Sequence, residues 1–552
     1  MAKKHYQKNI ITQEKPKKVI VVTSKKQTYL LIISLIVITF IAFSPSLKNG
    51  FVDWDDISYI SNNVNTFENH NIFYYFGKQA YMGNYHPFTM ALYDIQYSLF
   101  GLNPFYFHFT NLFLHIINSL LVFWLILKIT DKKIIWAFVT SIFFAIHPLH
   151  VESVTWISEL KDVLYTMYFL LAIIFYQFYD DKLRQKMNYI SSKKYYAFSL
   201  ILFLCACFSK GMAVTLPIAL ILIDFYKDQK ITVNKILNKI PFFAISLIFG
   251  IIAVYAQTIS SAVKDLSNYT VIERIIFPVY SSVFYIFKLF LPINLTIFYP
   301  YPESGSLNMF FWLSPIILIL IGFTVFKFRK SNFALVFGIL LYFAMILPVI
   351  QIKPIGETIV SERYFYVSSI GLFFIIGYFI DFLYEKFDKK YRQFIFIPVI
   401  IYGLLSVYLT FERTKDWKNT QTLWQSAIDV NPDLDKGYYG VGNVYYMEKN
   451  YTEAKKYFIK ALEKNPENYK ANNNLGNIFY NSENYDSAFY YYQQTVNSNN
   501  KFAQGYYNLG NIYFIKNELK TALKEYQKAI DLEPDNQQYL TQYNNTFIML
   551  QN

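Results

Sequence analysis

Only two cysteines occur in 552 residues, Cys205 and Cys207, and both sit inside one apolar run. Side chains two apart on a helix do not face each other, which excludes a disulfide or a metal site between them. Charge is scarce as well: 16% of residues are Asp, Glu, Lys or Arg, against 54% hydrophobic and 20% aromatic. A chain this long holds at least two units, and so apolar a composition reads as membrane protein for the larger one. What charge there is sums to +13, yet no basic stripe runs along a soluble segment. The lysines fall in short stretches between apolar runs, the pattern that marks the cytoplasmic side of a membrane protein, so nucleic acid is not an expected partner.

Residues 1–27 carry eight lysines and one acid, Glu14, without apolar periodicity, and read as a basic cytosolic tail. The apolar run Thr28–Phe43 follows. Ala42-Phe43-Ser44 loosely resembles a signal cleavage site, but the run is longer than the core of a signal peptide, so a retained anchor is expected. Further apolar segments lie at 109–128, 134–147, 163–179, 195–209, 212–226, 240–257, 309–326, 333–350, 365–384 and 394–411, which with the anchor makes about eleven crossings. Segment 275–293 is interrupted by Lys288 and Pro292. The basic groups Lys132/Lys133, Lys182/Arg184/Lys186, Lys227/Lys230, Lys327/Arg329/Lys330 and Lys386/Lys389/Lys390/Arg392 fall on one side only if 275–293 dips in and returns. It is therefore expected to be re-entrant or interfacial, with the N-terminus inside and the C-terminus outside.

After Phe411 charge density rises and a repeat begins. Gly442, Gly476 and Gly510 are 34 apart, as are Ala454, Ala488 and Ala522, with Tyr445/Phe479/Tyr513 and Phe458/Tyr492/Tyr526 in step. A 34-residue helix–turn–helix period with small residues at the crossing is the tetratricopeptide repeat (TPR) pattern; Trp424, Ala427 and Pro432 resemble half of an earlier, degenerate unit. The fold expected is all-α: a basic tail (1–27), a polytopic helical bundle (28–411) and a TPR solenoid (412–552).

Ionisable residues at membrane depth are costly and point to function. Those on the expected outer side are the Phe51-Val-Asp-Trp-Asp-Asp-Ile57 stretch after the anchor, His147-Pro-Leu-His150-Val-Glu152, Glu159-Leu-Lys161-Asp162, Ser209-Lys210-Gly211-Met212 and Ser361-Glu362-Arg363-Tyr364. Each also has a structural reading. The acids can be solvated or cap a helix, the two histidines lack a third metal ligand, and Arg363 can pair with Glu362.

The order of these features resembles the transmembrane-and-TPR-containing O-mannosyltransferases and their bacterial relatives, of the GT-C glycosyltransferase fold. The likeness runs from about residue 30 onward. His147-Pro-Leu-His-Val-Glu-Ser153 and Glu362-Arg-Tyr364 are similar to the bacterial members in particular. Trp54-Asp-Asp56 stands where Tyr-Asp-Asp is common in the eukaryotic proteins. The resemblance implies an inverting membrane glycosyltransferase that moves a sugar, mannose by the family's habit, from a polyprenyl phosphate to Ser/Thr of exported proteins. By that resemblance Asp55 or Asp56 is the base, Arg363 holds the donor phosphate with Lys210 or Lys161 as the alternative, and His147, His150, Glu152, Glu362 and Tyr364 support them. The only co-substrate implied is the polyprenyl-phosphate sugar; no cofactor or metal site is expected, and a need for a divalent cation is left open. Asn443, Asn477 and Asn511, with Asn474 and Asn508, are expected to line the TPR concave face as a ladder gripping acceptor backbone, similar to the soluble O-GlcNAc transferases. Expected partners are membrane lipid and exported proteins, at the plasma (inner) membrane with the TPRs extracytoplasmic. Two other readings stand beside this one: a non-enzymatic TPR scaffold, and a GT-C enzyme acting on a lipid or glycan.

Overall fold

The computed structural model describes residues 25–551 apart from 70, 78–80, 186–188, 261–265, 353 and 355. Glu14, Lys186 and nearly all of the expected basic tail lie outside the described residues. Thirteen longer helices precede the repeats: α1 (Lys25–Phe43), α2 (Pro87–Phe100), α3 (Pro104–Ile129), α4 (Ile134–Ile146), α5 (Leu160–Arg184), α6 (Tyr189–Ser209), α7 (Leu216–Asp228), α8 (Ile240–Ile259), α9 (Val271–Phe290), α10 (Met309–Phe328), α11 (Phe333–Ile346), α12 (Phe365–Lys386) and α13 (Arg392–Asp416). Every apolar segment read from the sequence is one of these helices. Local chemistry sets their starts. Asn103 caps α3 by accepting from the Phe105 amide with Pro104 just inside, Asn332 caps α11, and Thr270 and Glu273 form a reciprocal capping box on α9.

Six stretches among the described residues are long and apolar enough to cross a membrane: Lys25–Lys48, Pro104–Ile129, Ile240–Ile259, Met309–Phe328, Glu362–Lys386 and Arg392–Asp416. A seventh counts if α4 is joined to Pro148–Thr155 across a 57° bend. The remaining expected crossings are short, such as α7 with 13 residues and α11 with 14, or carry charged ends, such as α5. Where α11 meets α12 the backbones nearly touch: a Cβ on Gly338 would lie 2.6 Å from the Gly371 carbonyl oxygen. Only small residues allow helices without a hydrophobic driving force to pack so closely.

Ion pairs tie one end of the bundle together. Lys133 lies 3.2 Å from Asp381, Arg184 2.6 Å from Asp228, Lys227 3.3 Å from Asp181 and Lys235 3.1 Å from Asp224. Lys133, Arg184 and Lys227, placed on a common side by their loop positions, thus sit at the ends of helices linked by charge. Helix α9 crosses the opposite region. Phe277 and Tyr280 meet Phe311, and Phe287 meets Phe310. Residues ten apart on α9 therefore touch neighbours in the first turn of α10, so α9 lies across that helix end rather than alongside it. Its Val271, Ile272 and Ile275 are exposed. One short antiparallel ladder pairs Tyr299–Pro300 with Thr358–Val360.

Helix α13 continues through the boundary expected at 411/412 and ends at Asp416. The repeat region follows as α14 (Thr420–Val430), α15 (Asp435–Met447), α16 (Tyr451–Lys464), α17 (Tyr469–Asn481), α18 (Tyr485–Ser498), α19 (Ala503–Ile515), α20 (Leu519–Leu532) and α21 (Gln537–Gln551). The repeating glycines meet the repeating aromatics: a Cβ at Gly476 would lie 2.4 Å from the Tyr492 ring, one at Gly510 2.4 Å from Tyr526, and one at Gly442 2.8 Å from Phe458. Gly476→Ala is expected to force the ring or the helix aside, an overpacking cost of about 1–3 kcal/mol. Thermal unfolding of the purified chain should then begin at lower temperature; an unchanged transition would show that the contact is relieved cheaply.

Candidate active site

The loop after α1 is pinned on both sides. The Asn49 side chain donates to the Thr414 carbonyl (3.0 Å), the Gly50 amide to the Lys418 carbonyl (2.9 Å) and the Asp53 amide to the Thr420 hydroxyl (2.8 Å). Trp54 stacks on Trp424 of α14 with ring centroids 4.9 Å apart and stands edge-on to Trp156 at 6.1 Å. The acidic stretch is therefore clasped between the bundle and the degenerate first repeat.

Its two adjacent acids, Asp55 and Asp56, are placed differently. Asp56 is fully buried and accepts from the Val52 and Ser158 amides, both at 3.0 Å, and from the Ser158 hydroxyl. Burial raises its pKa to about 6, against the pull of those hydrogen bonds. Asp56 thus ties the first loop to the segment before α5 and does not line the cavity, and of the two expected candidates for the base only Asp55 does. Asp55 remains half-buried and faces the cavity. Burial raises its pKa too, opposed by the nearby Lys161 and Arg363 charges.

The cations converge on one carboxylate. Glu159, 1% exposed, lies 3.1 Å from the Lys161 ammonium, 3.2 Å from Lys210 and 3.4 Å from the Arg363 guanidinium. Burial alone would raise the Glu159 carboxyl, but the three cations outweigh it and hold it well below the usual range. Arg363 also binds Glu152 through its side chain and its amide (3.2 Å), so its partners are Glu152 and Glu159 and not Glu362. Lys210 additionally pairs with Asp162. The Trp156 ring lies under both Arg363 (5.4 Å) and Lys161 (5.7 Å).

A cavity of about 500 Å³ gathers these groups. Asp55, Glu159, Lys161, Lys210, Arg363 and Tyr364 form its polar wall. Apolar residues of α8, among them Phe249, Ile252 and Val254, and the turn Pro348–Ile352 form the other. Val254 and Ile352 are 53% and 69% exposed, so the cavity opens sideways between α8 and that turn, onto the apolar flank of the bundle.

Other expected site residues are held elsewhere. The ring of His147 bonds the Leu289 carbonyl (3.1 Å) and the Tyr402 hydroxyl (3.2 Å), and that of His150 bonds the Phe144 carbonyl (2.6 Å) and the Ser369 hydroxyl (3.1 Å). Both are buried and fasten the bend after α4. Glu362 turns away from the cavity to Tyr299 (2.9 Å) and Arg413 (3.3 Å). Glu152 acts through Arg363. No group of three or more His, Cys, Asp or Glu suited to a metal occurs among the described residues.

The asparagines of the repeats bond largely to one another. Gln504 donates to Asn508 (2.9 Å), Asn508 to Asn473 (2.9 Å), Asn473 to Asn474 (3.3 Å), Asn474 to Asn443 (3.3 Å), and Asn443 to Asp53 (3.5 Å) in the acidic loop. Asn508 is buried, which corrects its expected contact with an acceptor. The carbonyls of Asn477 and Asn511 accept from Tyr492 and Tyr526, each at 2.8 Å. Asn508 also donates to Asn477 (3.2 Å), so the bonded amides run from Gln504 back toward Asp53, while Asn511 stands apart from that line; Asn443, Asn474, Asn477 and Asn511 are half-buried.

Two cavity residues carried no motif. Glu159 stood in a quoted stretch, but its charge looked like one of several; its convergence with Lys210 and Arg363 comes from positions 51 and 204 residues away. His86 is a lone histidine before the proline that starts α2, and only its burial at the cavity wall singles it out.

Comparison with known proteins agrees with the motifs. The tetratricopeptide repeat model matches residues 436–468 and 503–536. The protein O-mannosyl-transferase F38B6.6 of Caenorhabditis elegans is 25% identical over 393 residues, covering 68% of this chain and 54% of that protein. The protein O-mannosyl-transferase TMTC3 of Homo sapiens is 24% identical over 413 residues, covering 68% and 44%. The protein O-mannosyl-transferase TMTC1 of Mus musculus is 35% identical over 134 residues, covering 24% and 14%. The chain spans about half the length of the first two relatives. Its homologues over most of its length are thus protein O-mannosyl-transferases, as the order of its motifs implied.

Proposed function

We propose that the chain is a membrane glycosyltransferase that moves a mannosyl group from a polyprenyl phosphate to Ser/Thr hydroxyls of exported proteins, with inversion. The observation that carries this reading is the presence of Asp55 and three cations in one cavity that opens onto the apolar flank. A hydroxyl is a poor nucleophile, so Asp55 takes its proton as the new C–O bond forms at the sugar's anomeric carbon. The bond from that carbon to the phosphate oxygen breaks, and its electron pair leaves on the lipid phosphate. Arg363, Lys161 and Lys210 neutralise the charge that develops there. The lipid chain enters sideways between α8 and Pro348–Ile352, where the wall is apolar. The acceptor polypeptide lies along the half-exposed asparagines of the repeats, whose line of amides leads to the loop that carries Asp55. A scaffold would have no use for cations buried in a cavity, and TPRs suit a polypeptide acceptor better than a lipid or glycan.

Mass spectrometry of envelope proteins from cells with and without this chain is expected to reveal the loss of Ser/Thr hexose in its absence; identical profiles would return the chain to the scaffold reading. In this reading the two acids of the pair respond differently to substitution. Asp55→Asn is expected to lower transfer by about 10²–10⁴ with little change in thermal unfolding. In the wild type, transfer should fall on acidification at a pH above the ordinary aspartate range, because the folded pKa of Asp55 is raised and its protonated form is no base. Asp56→Asn turns an amide N–H against one of the donors that Asp56 accepts from, so it should lower the unfolding temperature and cost less than tenfold in transfer. Equal losses in the two variants would remove the distinction.

In this reading the N-terminus is cytoplasmic, the repeats are extracytoplasmic and the membrane is the plasma membrane. A reporter active only after export, fused to the C-terminal end, should be active. Activity of a cytoplasmic reporter there instead would mean that α9 spans and that the topology is inverted.

A further inference from the structure

His86 is 3% exposed, lines the cavity, and neither of its ring nitrogens has a hydrogen-bond partner. A buried imidazole left unpaired is costly, and native proteins rarely tolerate it without a ligand or water at hand. The residue also borders a second cavity of about 10 Å³, room for a single water. Its two nitrogens diverge, so one water there serves at most one of them and leaves the other unmet. Burial, reinforced by the Lys161 charge, lowers the His86 pKa to about 3. The ring is therefore neutral near pH 7, with one donor and one acceptor nitrogen, and is unsuited to proton transfer.

That pairing of roles discriminates among ligands. A phosphate offers acceptors only and would leave the lone pair unmet. A sugar hydroxyl both donates and accepts. The His86 ring packs against Tyr59 at a tilt of 55° with centroids 5.4 Å apart, and the Lys161 ammonium lies 5.0 Å from the centroid of that same tyrosine ring. Lys161 and His86 thus neighbour one tyrosine and line one cavity.

We propose that His86 binds the sugar of the lipid-linked donor through its hydroxyls and so makes the site distinguish sugar-loaded from bare carrier. This rests on the function proposed above. The test measures binding of two probes, polyprenyl phosphate and polyprenyl-phosphate mannose, to the full detergent-solubilised chain. His86→Phe keeps an aromatic ring and removes both polar atoms; it should weaken binding of the mannosyl lipid about tenfold, the loss of one well-made hydrogen bond. Binding of bare polyprenyl phosphate should stay within about twofold of wild type, since neither polar atom is asked to touch phosphate. His86→Asn, which restores a donor and an acceptor, should recover most of the affinity. If His86→Phe does not fold, His86→Ala makes the same comparison. Equal weakening for both lipids, or none for the mannosyl lipid, overturns the proposal. Should the wild-type chain bind neither lipid, the proposed function falls as well, an outcome distinct from a wild type that binds both and variants that make no difference.

Discussion

Lys161 on the first turn of α5, Lys210 at the end of α6 and Arg363 just before α12 would repel one another across a buried cavity if Glu159 did not stand between them. Removing charges from water is expensive, and a buried pair holds only when its geometry and further hydrogen bonds compensate. Glu152 and Asp162 supply that compensation at Arg363 and Lys210. The carboxylate thus gathers positive charge from three separate helices into one wall. The rest of the site follows: the Trp156 ring beneath two of the cations, the serine after it that receives Asp56, and through Asp56 the position of Asp55.

The second constraint is the clasp between loop and repeats. The backbone bonds from Gly50 and Asp53 reach Lys418 and Thr420, and Trp54 lies flat on Trp424. Aromatic stacking buries much area at little entropic cost, so the loop carrying the acids and the first repeat behave as one packed unit. The line of amides from Gln504 to Asp53 extends that unit across three repeats. The surface of the repeats is thus continuous with the loop that carries Asp55.

Much of this was legible from residue order. The apolar segments became helices, Lys133, Arg184 and Lys227 pair with acids at helix ends, and the glycine–aromatic period of 34 became the close contact at each repeat. Asp55, Lys161, Lys210, Arg363 and Tyr364 were singled out by charge at membrane depth and share one cavity. The histidines pulled the other way. His147-Pro-Leu-His150 looked chemical because histidines so spaced share a helix face, yet their nitrogens meet carbonyls and hydroxyls brought by α9, α12 and α13. Glu362, adjacent to Arg363, faces Arg413 across the bundle, because neighbours on a helical turn point in different directions.

What the sequence determined by itself was everything carried by periodicity and by the cost of burying charge: which segments are apolar helices, where the repeats run, and which ionisable residues cannot be idle. Those quantities are local, set by a residue and its near neighbours. Only the tertiary structure decided which member of Asp55/Asp56 faces the cavity, that Glu159 gathers three cations, and that His86 reaches the wall with its nitrogens unspent. Each of these depends on the direction a side chain takes relative to partners up to about two hundred residues away, and such directions arise only when the helices have packed.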